Sequence, residues 1–462
     1  MRFWPLLTIA GILSAQAPQP EWSAIDAQSL AHFQALVRLD TTSPPGNEII
    51  AVEYLKQVLE REGIAYQVFA LDPKRPNLVA RIKGNGSKRP LLILGHTDTV
   101  SIDAAKWKFP PFGATRDGGY IYGRGTVDDK DNLTAALMSM ILIKRLNVPL
   151  DRDVIFLAES GEEGDTQFGI GFMVDQHFDA IDAEFAYAEG GGVTREGGQV
   201  SYATVQTTEK SILSVQLTAS GPAGHASMPL QGNALVHLAK AVGAVADWKV
   251  PMRLNDTTRT YFERLATISG PLAAARYNGI TNPTTTFAVQ EYFAASDPRH
   301  NSMVRTTISP TIFNAGYRVN VIPSEAVATI DVRAVPDEPI DDFFEQMKRV
   351  INDPLVQIVN KGRTRPLAAP SPVNAEPFRV IEGAYRKHYD SVTLPQMGTG
   401  GTDMSFLRAK GIASYGIGPA VDTEDGQLGF GAHSDQERIL ESELLRFVRF
   451  HYDAVLGLAA SK

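Results

Sequence analysis

The 462-residue chain contains no cysteine. This absence excludes disulfide scaffolds, thiolate zinc sites, iron–sulfur clusters and cysteine nucleophiles. Positive charge is also scarce, with 44 Lys and Arg against 52 Asp and Glu and a formal net charge of −8. This balance argues against nucleic acid or an anionic membrane as the main partner. Any metal centre in the chain has to be built from His, Asp and Glu.

Long apolar runs are missing except near the N-terminus, where Arg2 precedes an apolar stretch from Phe3 to Leu13. This stretch is too short to span a bilayer, which requires about 20 apolar residues. Ala15 and Ala17 supply small residues at both positions that a signal peptidase reads. We therefore predict a signal peptide over residues 1–17, cleavage after Ala17, and a secreted or periplasmic protein without a membrane span. A buried N-terminal helix is the alternative.

Helix and strand patterns alternate along the first half of the chain. The spacing of apolar residues predicts an amphipathic helix over 49–62 and a helix that is apolar on nearly all sides over 133–146. Short apolar runs predict strands over 77–82, 91–95, 154–158 and 184–188. A short loop with Gly and Pro separates the first two strands, so we predict that they pair. The alternation predicts an α/β fold with a mostly parallel central sheet flanked by helices.

The pattern changes after about residue 208, where alternating strands over 211–218 and 326–332 combine with helices over 234–250 and 343–351. Residues 257–309 are rich in Thr, Asn, Ser and Pro, and we interpret them as loops and short helices inserted in this α+β region. The α/β pattern returns after Pro370. We predict one domain built from residues 22–208 plus 365–462 and a second domain, residues 209–364, inserted into it.

Acidic and imidazole side chains follow several predicted strands or stand in Gly-rich turns. The set consists of His96, Asp98, Asp128, Glu162, Glu163, Glu189 and His433. Ligands of open α/β sheets gather at the carboxyl ends of strands, so one site can collect this set. Imidazole and carboxylate ligands without thiolate suit hydrolytic zinc, cobalt or manganese. A two-metal site needs one bridging carboxylate, two further ligands for each ion and a carboxylate left over as a base.

These residues lie in motifs that occur together in a known family. The motifs are GHTDTV, GRGTVDDKD, GEEG, the isolated Glu189, GPAGHASMP and AHSDQE, in this order. From Ile25 to the end, the sequence resembles the co-catalytic dizinc exopeptidases and deacylases, which include aminoacylases, glutamate carboxypeptidases, acetylornithine deacetylase and succinyl-diaminopimelate desuccinylase. The resemblance implies a zinc-exopeptidase type of fold with an inserted, ferredoxin-like α+β domain. That domain would act as a lid and form a homodimer, with a monomer as the alternative.

The resemblance gives each member of the set a role. The metal ligands would be His96, Asp128, Glu163, Glu189 and His433, and the cofactors two Zn²⁺ ions, with Co²⁺ or Mn²⁺ as alternatives. Asp128 would bridge the ions, with a cis peptide bond to Asp129, and Asp98 would orient His96. Glu162 would be the general base, which takes a proton from the attacking water and passes it to the leaving nitrogen.

Further residues match the family outside the metal set. His225 resembles a histidine that hydrogen-bonds the oxyanion, often from the partner subunit, whereas its pattern alone is that of a surface loop. Asn320 and Arg333 resemble substrate contacts on the lid, and Arg333 suits a free carboxylate. The resemblance also assigns the substrate carboxylate to the backbone of a glycine-rich loop, formed by Gly400, Gly401 and Thr402. One departure from the family is Gly161, which replaces an acidic residue that often precedes the Glu pair.

Together, the motifs predict a hydrolase that cleaves an amide bond next to a free carboxylate. In the family, Glu at the position of Glu189 occurs in carboxypeptidases and N-acyl deacylases, and Asp occurs in dipeptidases. We therefore expect a zinc carboxypeptidase acting on short peptides, with an N-acyl-amino-acid amidohydrolase as the alternative. A non-catalytic binding protein on the same fold is a further alternative, although no motif residue has been lost.

Overall fold

The computed structural model describes residues 20–363 and 365–461. The predicted signal peptide lies outside these residues. Across the described part of the chain, no helix combines the length and apolarity that crossing a membrane requires. The helices are α1 (Trp22–Val37), α2 (Ile49–Arg61), α3 (Lys130–Arg145), α4 (Ile170–Gln176), α5 (Phe178–Ile181), α6 (Ala234–Ala246), α7 (Asp256–Ile268), α8 (Pro271–Gly279), α9 (Thr286–Ser296), α10 (Pro298–Met303), α11 (Ile340–Ile351), α12 (Glu376–Tyr389), α13 (Met404–Ala409), α14 (Thr423–Leu428) and α15 (Glu441–Ala459).

The strands form two main sheets, one three-stranded sheet and one two-stranded ribbon. They are β1 (Tyr66–Phe69), β2 (Asn77–Ile82), β3 (Leu91–His96), β4 (Thr115–Asp117), β5 (Tyr120–Tyr122), β6 (Val154–Glu159), β7 (Phe185–Ala188), β8 (Gly192–Glu196), β9 (Gln199–Glu209), β10 (Ser211–Ser220), β11 (Gly224–His225), β12 (Thr307–Ala315), β13 (Val321–Ile322), β14 (Glu325–Ala334), β15 (Val356–Arg363), β16 (Thr393–Gly398), β17 (Ala413–Gly416), β18 (Ala420–Asp422) and β19 (Arg438–Leu440).

The larger of the two main sheets, called the large sheet below, has the strand order β1-β2-β6-β3-β7-β17-β9-β8-β18, with β16 beside β9. Its central strands β6, β3, β7 and β17 run parallel to one another. β17 comes from the C-terminal part of the chain and lies between β7 and β9. The predicted α/β fold with a mostly parallel central sheet flanked by helices is confirmed.

Helices cover both faces of the large sheet. Successive side chains of a strand point to opposite faces, so Leu91 and Ile93 of β3 join the core beneath α3, α12 and α15. Leu92 and Leu94 join the core beneath α4 and α13. A strand buried on both faces has a continuous apolar sequence, which is why β3 and β6 show no alternation.

The predicted pairing of the strands over 77–82 and 91–95 is wrong. In the structure β6 lies between them, antiparallel to β2 and parallel to β3. Two apolar strands separated by a short loop resemble a hairpin in sequence. The sequence spacing does not reveal that a strand some 60 residues further on inserts between them, because that depends on long-range packing.

The other main sheet, called the small sheet below, has the order β12-β14-β10-β15. Leu213, Val215 and Leu217 of β10 point into a core shared with α6 and α11, which accounts for the alternation predicted over 211–218. The chain passes between the two main sheets twice, at Lys210 between β9 and β10 and again after β15. The division into two domains at residues 209 and 364 stays a prediction.

Residues 256–303 form helices α7 to α10. Their aromatic side chains, including Tyr261, Phe262 and Phe293, pack with Leu394 and Met397 of β16 in the large sheet. The short helices predicted for this segment are present, and their packing shows that the segment contacts the large sheet, while its assignment to the inserted domain stays a prediction. The helices are short, so each shows too few turns for a clear 3.6-residue period.

Candidate metal centre and active site

The carboxyl ends of neighbouring strands bring the predicted metal ligands together. His96 is the last residue of β3, and Glu189 follows β7 directly. Glu162 and Glu163 follow β6 after a short turn, and Asp128 lies in the Gly-rich turn that precedes α3. Because β6, β3 and β7 are parallel neighbours, their carboxyl ends share one edge of the sheet, which is where ligand sites of open α/β sheets occur.

Asp128 lies at the centre of the cluster. Its Oδ1 is 3.0 Å from Nε2 of His96, and its Oδ2 is 2.8 Å from Nε2 of His433. The same His433 nitrogen lies 3.0 Å from Oε1 of Glu163. A carboxylate with one imidazole facing each oxygen has the arrangement of a ligand that bridges two ions. The Asp128–Asp129 peptide bond is cis, as the resemblance implied.

Two groups of side chains in the described residues are close enough to hold an ion. One contains His96, Asp128 and Glu163, and the other contains His96, Glu162 and Glu189, with the ligand atoms of each group within 4.8 Å of one another. The donors are nitrogen and carboxylate oxygen, which suit zinc, cobalt or manganese. Burial, reinforced by the charges of Glu162 and Asp128, raises the pKa of Glu189 well above its ordinary value. A buried cluster of acids is stabilised by positive charge, so the residues fit a divalent cation. Because His96 belongs to both groups, the number of ions stays a prediction.

Asp98 holds two parts of the cluster in place. Its backbone carbonyl accepts a hydrogen bond from Nδ1 of His96 at 3.0 Å, and its carboxylate lies 3.5 Å from that nitrogen. The carboxylate accepts the backbone N–H groups of Gly161, Glu162 and Glu163 at 2.9, 3.2 and 3.1 Å. Burial alone would raise the pKa of Asp98, but the hydrogen bond and charge of His96 lower it below its ordinary value. Asp98 thus fixes both the His96 ring and the turn that carries the Glu pair.

Gly161 allows this turn to form. Its φ is +79°, and a Cβ atom at this position would lie 2.5 Å from the carbonyl oxygen of Asp165. Both the positive φ and the close approach require glycine. In the conformation that this turn adopts here, the position accepts glycine and not the acidic residue that often precedes the Glu pair in the family.

Arg365 is a residue of the site that the sequence analysis missed. Its Nη2 donates to Oε1 of Glu162 at 2.6 Å and to the Glu162 backbone carbonyl at 3.0 Å. Its Nη1 donates to Oδ1 of Asp403 at 2.6 Å. Burial raises the pKa of Glu162 to about 8, while the charge of Arg365 acts to lower it. A lone arginine after a strand belongs to no motif, so no sequence signal marked it.

Arg333 and the glycine-rich loop line the same cleft as the metal residues. This cleft has a volume of about 840 Å³ and is bordered by Asp128, Glu162 and His433 as well as by Arg333 and residues 400–402. The guanidinium of Arg333 pairs with Asp331, at 2.8 and 3.1 Å. The predicted substrate contacts of this group therefore face the predicted metal ligands.

Thr402 differs from its predicted use. Its backbone N–H and its hydroxyl donate to the carboxylate of Glu209, at 3.0 and 2.7 Å. Arg408 donates to the same carboxylate at 3.1 Å. These contacts hold the end of the glycine-rich loop. Thr402 borders the cleft together with Gly400 and Gly401, but its backbone N–H is already bound by Glu209.

The structure does not bring His225 or Asn320 to the metal cluster. Both lie at a two-stranded ribbon in which β11 pairs with β13, and the Asn320 carbonyl accepts the Ala226 N–H at 3.1 Å. His225 is exposed, its Nδ1 is 2.8 Å from Oγ of Ser227, and neither His225 nor Asn320 lines the cleft. Their predicted roles require a movement of the small sheet or a second copy of the chain.

A second cavity meets the cleft at the metal cluster. It has a volume of about 580 Å³ and shares Asp128 and Glu189 with the cleft. Val127, Ile417 and Phe430 are among its apolar wall residues. The two cavities therefore extend away from the metal residues in different directions.

The fold and the site together define a metal-dependent peptidase or amidohydrolase. Residues 92–457 match the sequence profile of peptidase family M20/M25/M40. The chain belongs to this family, which confirms the family predicted from the motifs.

Relatives with several different names match the chain. A "probable carboxypeptidase S-like 2" of Dictyostelium discoideum is 30% identical over 338 residues, which are 71% of this chain and 64% of that protein. The human "N-fatty-acyl-amino acid synthase/hydrolase PM20D1" is 28% identical over 331 residues, 70% of this chain and 65% of that protein. A "probable succinyl-diaminopimelate desuccinylase" of Staphylococcus epidermidis is 25% identical over 424 residues, 90% of this chain and 91% of that protein. The chain thus matches less than two thirds of the length of the first two relatives.

Solved structures share the fold. The M20 family metallo-carboxypeptidase Sso-CP2 from Sulfolobus solfataricus superposes with a TM-score of 0.70 and 20% identity, covering 93% of this chain and 99% of that one. Human carnosine dipeptidase 1 gives a TM-score of 0.65 and 14% identity, covering 96% and 99%. The Bacillus subtilis YXEP protein, a dinuclear metal binding peptidase, gives 0.60 and 14%, covering 94% and 99%. These similarities confirm the predicted fold class.

Proposed function

We propose that the protein is a zinc carboxypeptidase that hydrolyses the amide bond next to the free carboxylate of short peptides. The observation that carries this proposal is that Arg333 and the glycine-rich loop line one cleft with the metal cluster. A guanidinium and backbone N–H groups bind a carboxylate, and the neighbouring amide then lies over Asp128 and Glu189. The carboxypeptidase S-like relative supports the same choice.

The chemistry needs few protein groups. Two divalent cations held by the cluster would polarise the scissile carbonyl and make water a stronger nucleophile. Oε1 of Glu162 is bound by Arg365, so Oε2 is the atom that accepts the proton of the attacking water and returns it to the leaving nitrogen. Asp98 keeps the backbone of Glu162 and Glu163 fixed while this proton moves.

A specific observation favours an N-acyl-amino-acid amidohydrolase as the second candidate. The second cavity begins at Asp128 and Glu189, so an amide placed there directs its acyl half into a chamber with the apolar wall residues Val127, Ile417 and Phe430. An aliphatic or aromatic acyl group fits such a wall. The PM20D1 relative, named as an N-fatty-acyl-amino acid synthase/hydrolase, supports this candidate.

The oligomeric state and the location are part of the same proposal. β12 is an edge strand of the small sheet and exposes Ile312 and Phe313, which is the kind of surface that pairs with another chain. We propose a homodimer through the small sheet, in which His225 and Asn320 reach the partner's cleft. The secreted or periplasmic location that we propose rests on the signal peptide predicted from the sequence over residues 1–17.

A substrate screen tests the proposal. Dipeptides, N-acetyl amino acids and long-chain N-acyl amino acids would be supplied with free and with amidated C-termini, after chelation and reloading with Zn²⁺, Co²⁺ or Mn²⁺. We expect dipeptides with a free carboxylate to be hydrolysed much faster than their amidated forms, and we expect Glu162→Gln to lose most of its turnover. Equal hydrolysis of amidated substrates would refute the carboxylate anchor, and activity on long-chain acyl substrates alone would select the amidohydrolase.

A further inference from the structure

Arg365 lies where the chain returns from the small sheet to the large sheet. β15, the last strand of the small sheet, ends at Arg363, and α12 of the large sheet begins at Glu376. The Arg365 side chain is only 10% exposed. It packs against the glycine-rich loop so closely that a Cβ atom on Gly401 would lie 2.7 Å from its Cδ. The guanidinium therefore sits between the chain crossing, the loop and the metal cluster.

The contacts of Arg365 tie three separate segments together. Two of its hydrogen bonds reach the side chain and the backbone carbonyl of Glu162, in the turn after β6. A third reaches Asp403, directly after the glycine-rich loop. These charge-assisted contacts are at 2.6 to 3.0 Å, the range of strong hydrogen bonds.

The surroundings of Arg365 are strongly acidic. Besides Glu162 and Asp403, the cluster contains Glu159, the last residue of β6. Oδ2 of Asp403 and Oε2 of Glu159 are both buried, and burial together with the neighbouring Asp403 raises the pKa of Glu159 well above its ordinary value. Removing the positive charge of Arg365 would leave several carboxyls close together in a buried region, and the Glu162 side chain would lose the contact that sets its direction.

We propose that Arg365 is the positioning residue of the general base. It binds Oε1 and the backbone carbonyl of Glu162, so it fixes both ends of the side chain and leaves Oε2 for the proton. The same guanidinium binds Asp403, so it links the base to the glycine-rich loop. Because Arg365 follows β15 in the chain, it also links the base to the position of the small sheet. This inference rests on the proposed function, in which Glu162 is the base.

The test compares Arg365→Met and Arg365→Lys in the full, metal-loaded protein, with the dipeptide that the wild type hydrolyses fastest. For Arg365→Met we expect kcat to fall by about 10- to 100-fold, as for loss of a charged hydrogen bond, with KM within about twofold. Arg365→Lys should recover part of kcat, and free guanidinium should raise kcat of Arg365→Met but not of the wild type. Bound metal per chain and the unfolding temperature should match the wild type, and if Arg365→Met loses either, Arg365→Lys carries the test.

Arg264→Met is the matched control. Arg264 makes the same kind of contacts, with Oε1 of Glu382 and the Thr393 carbonyl, each at 2.7 Å, but it lies outside the cleft. We expect its kcat and KM to remain those of the wild type. A similar loss of kcat in Arg264→Met would mean that removing any such arginine disturbs the fold, which would overturn the inference.

The double variant separates the inference from the proposed function. If Arg365 acts through Glu162, Arg365→Met causes no further loss in the Glu162→Gln background. Full activity of Glu162→Gln would refute the proposed function itself. An inactive Glu162→Gln combined with an unchanged kcat of Arg365→Met would refute only the positioning role. A raised KM at constant kcat in Arg365→Met would make Arg365 a substrate contact. A raised kcat would make it an inhibitory residue. Either outcome would overturn the inference.

Discussion

Asp98 and Glu162 are neighbouring carboxylates with different tasks, and their hydrogen bonds explain the difference. Asp98 accepts three backbone N–H groups and faces His96, so it is held as a fixed anion. Glu162 has one oxygen bound by Arg365, and it borders the cleft. Within one cluster, the first carboxylate serves as support and the second is placed to handle a proton.

Arg333 is proposed to bind the free carboxylate of the substrate. We expect Arg333→Ala to raise KM for free-carboxylate dipeptides by about 10- to 100-fold, because a charged two-pronged hydrogen bond is lost. The kcat should change much less, since the anchor binds substrate and transition state alike. Steady-state kinetics on free and amidated substrates measure this, with Arg363→Ala, an exposed change on β15, as the control. An equal effect on both substrate forms would contradict the anchor role.

His225 is predicted to stabilise the oxyanion. We expect His225→Ala to lower kcat by about 10²- to 10³-fold, the usual effect of losing one oxyanion donor, without change in bound metal. His237→Ala is the control, because His237 lies in the same region and pairs with Asp353. Mixing His225→Ala with Glu162→Gln should restore activity if His225 acts across a dimer. Unchanged kcat in His225→Ala would remove it from the site.

For individual residues, the sequence predicted those that lie in short motifs. His96, Asp128, Glu163 and His433 come together because each motif fixes its own turn at the end of a buried element. Arg365 could not be predicted, because its importance comes from contacts with residues about 200 positions earlier and about 40 positions later. The placement of His225 depends on a domain movement or a second subunit, and neither is encoded locally.

At the scale of helices and strands, the prediction succeeded for elements whose own apolar spacing is clear. It failed where it had to say which strands lie beside each other in the sheet. The extents of α2, α3, β2 and β6 lie within a few residues of those expected from apolar spacing. The partner of β2 was wrong, because an apolar run has the same sequence whichever strand lies beside it. The helical content of α7 to α10 was underestimated, because the segment was predicted as loops and short helices. These helices are stabilised by aromatic packing on β16 more than by their own periodicity.

The packing of α15 against α3 makes stability depend on pH. Nδ1 of His451 on α15 lies 2.8 Å from Oγ of Ser139 on α3, and burial lowers the pKa of His451 to about 3. The unfolded chain takes up a proton on this group near pH 6.5, but the folded chain does not. The free energy of unfolding therefore falls as pH decreases from 6.5 towards 3, by at most about 1.4 kcal/mol per pH unit.

Urea unfolding between pH 7 and 4.5 measures this contribution. We expect His451→Gln to show a shallower dependence on pH than the wild type, by up to one proton. His237→Gln is the control: Asp353 raises the pKa of His237, so below about pH 5.5 both its folded and unfolded forms are almost fully protonated, and in that range the slope stays the same. If the free energy of unfolding depended on pH in the same way for the wild type and for His451→Gln, His451 would not be held neutral in the folded chain.

The whole molecule is tied together by its metal cluster. The five predicted ligands come from chain positions between 96 and 433, and ions that bind the folded chain alone stabilise it by mass action. We expect chelation to abolish hydrolysis and to lower the unfolding temperature, with a loss of about 3–4 kcal/mol if the free ion had been at 100 to 1,000 times its Kd.

Calorimetry and activity assays before and after reloading with Zn²⁺ or Co²⁺ test this expectation together. The Asp128→Asn variant serves as the control, because it lacks the bridging carboxylate and should unfold at the same temperature with and without chelator. Chelator-resistant hydrolysis combined with an unchanged unfolding temperature would contradict a metal-dependent function.

The position of β17 has a consequence for a chain that is still being synthesised. This strand lies between β7 and β9, but the ribosome produces it after most of the chain, and His433 comes later still. Until then the β7 and β9 edges cannot join through β17, and the cluster lacks one of its imidazoles. A chain that stops early in synthesis, or that a protease trims at its C-terminal end, is left without a closed sheet and without a complete hydrolytic centre.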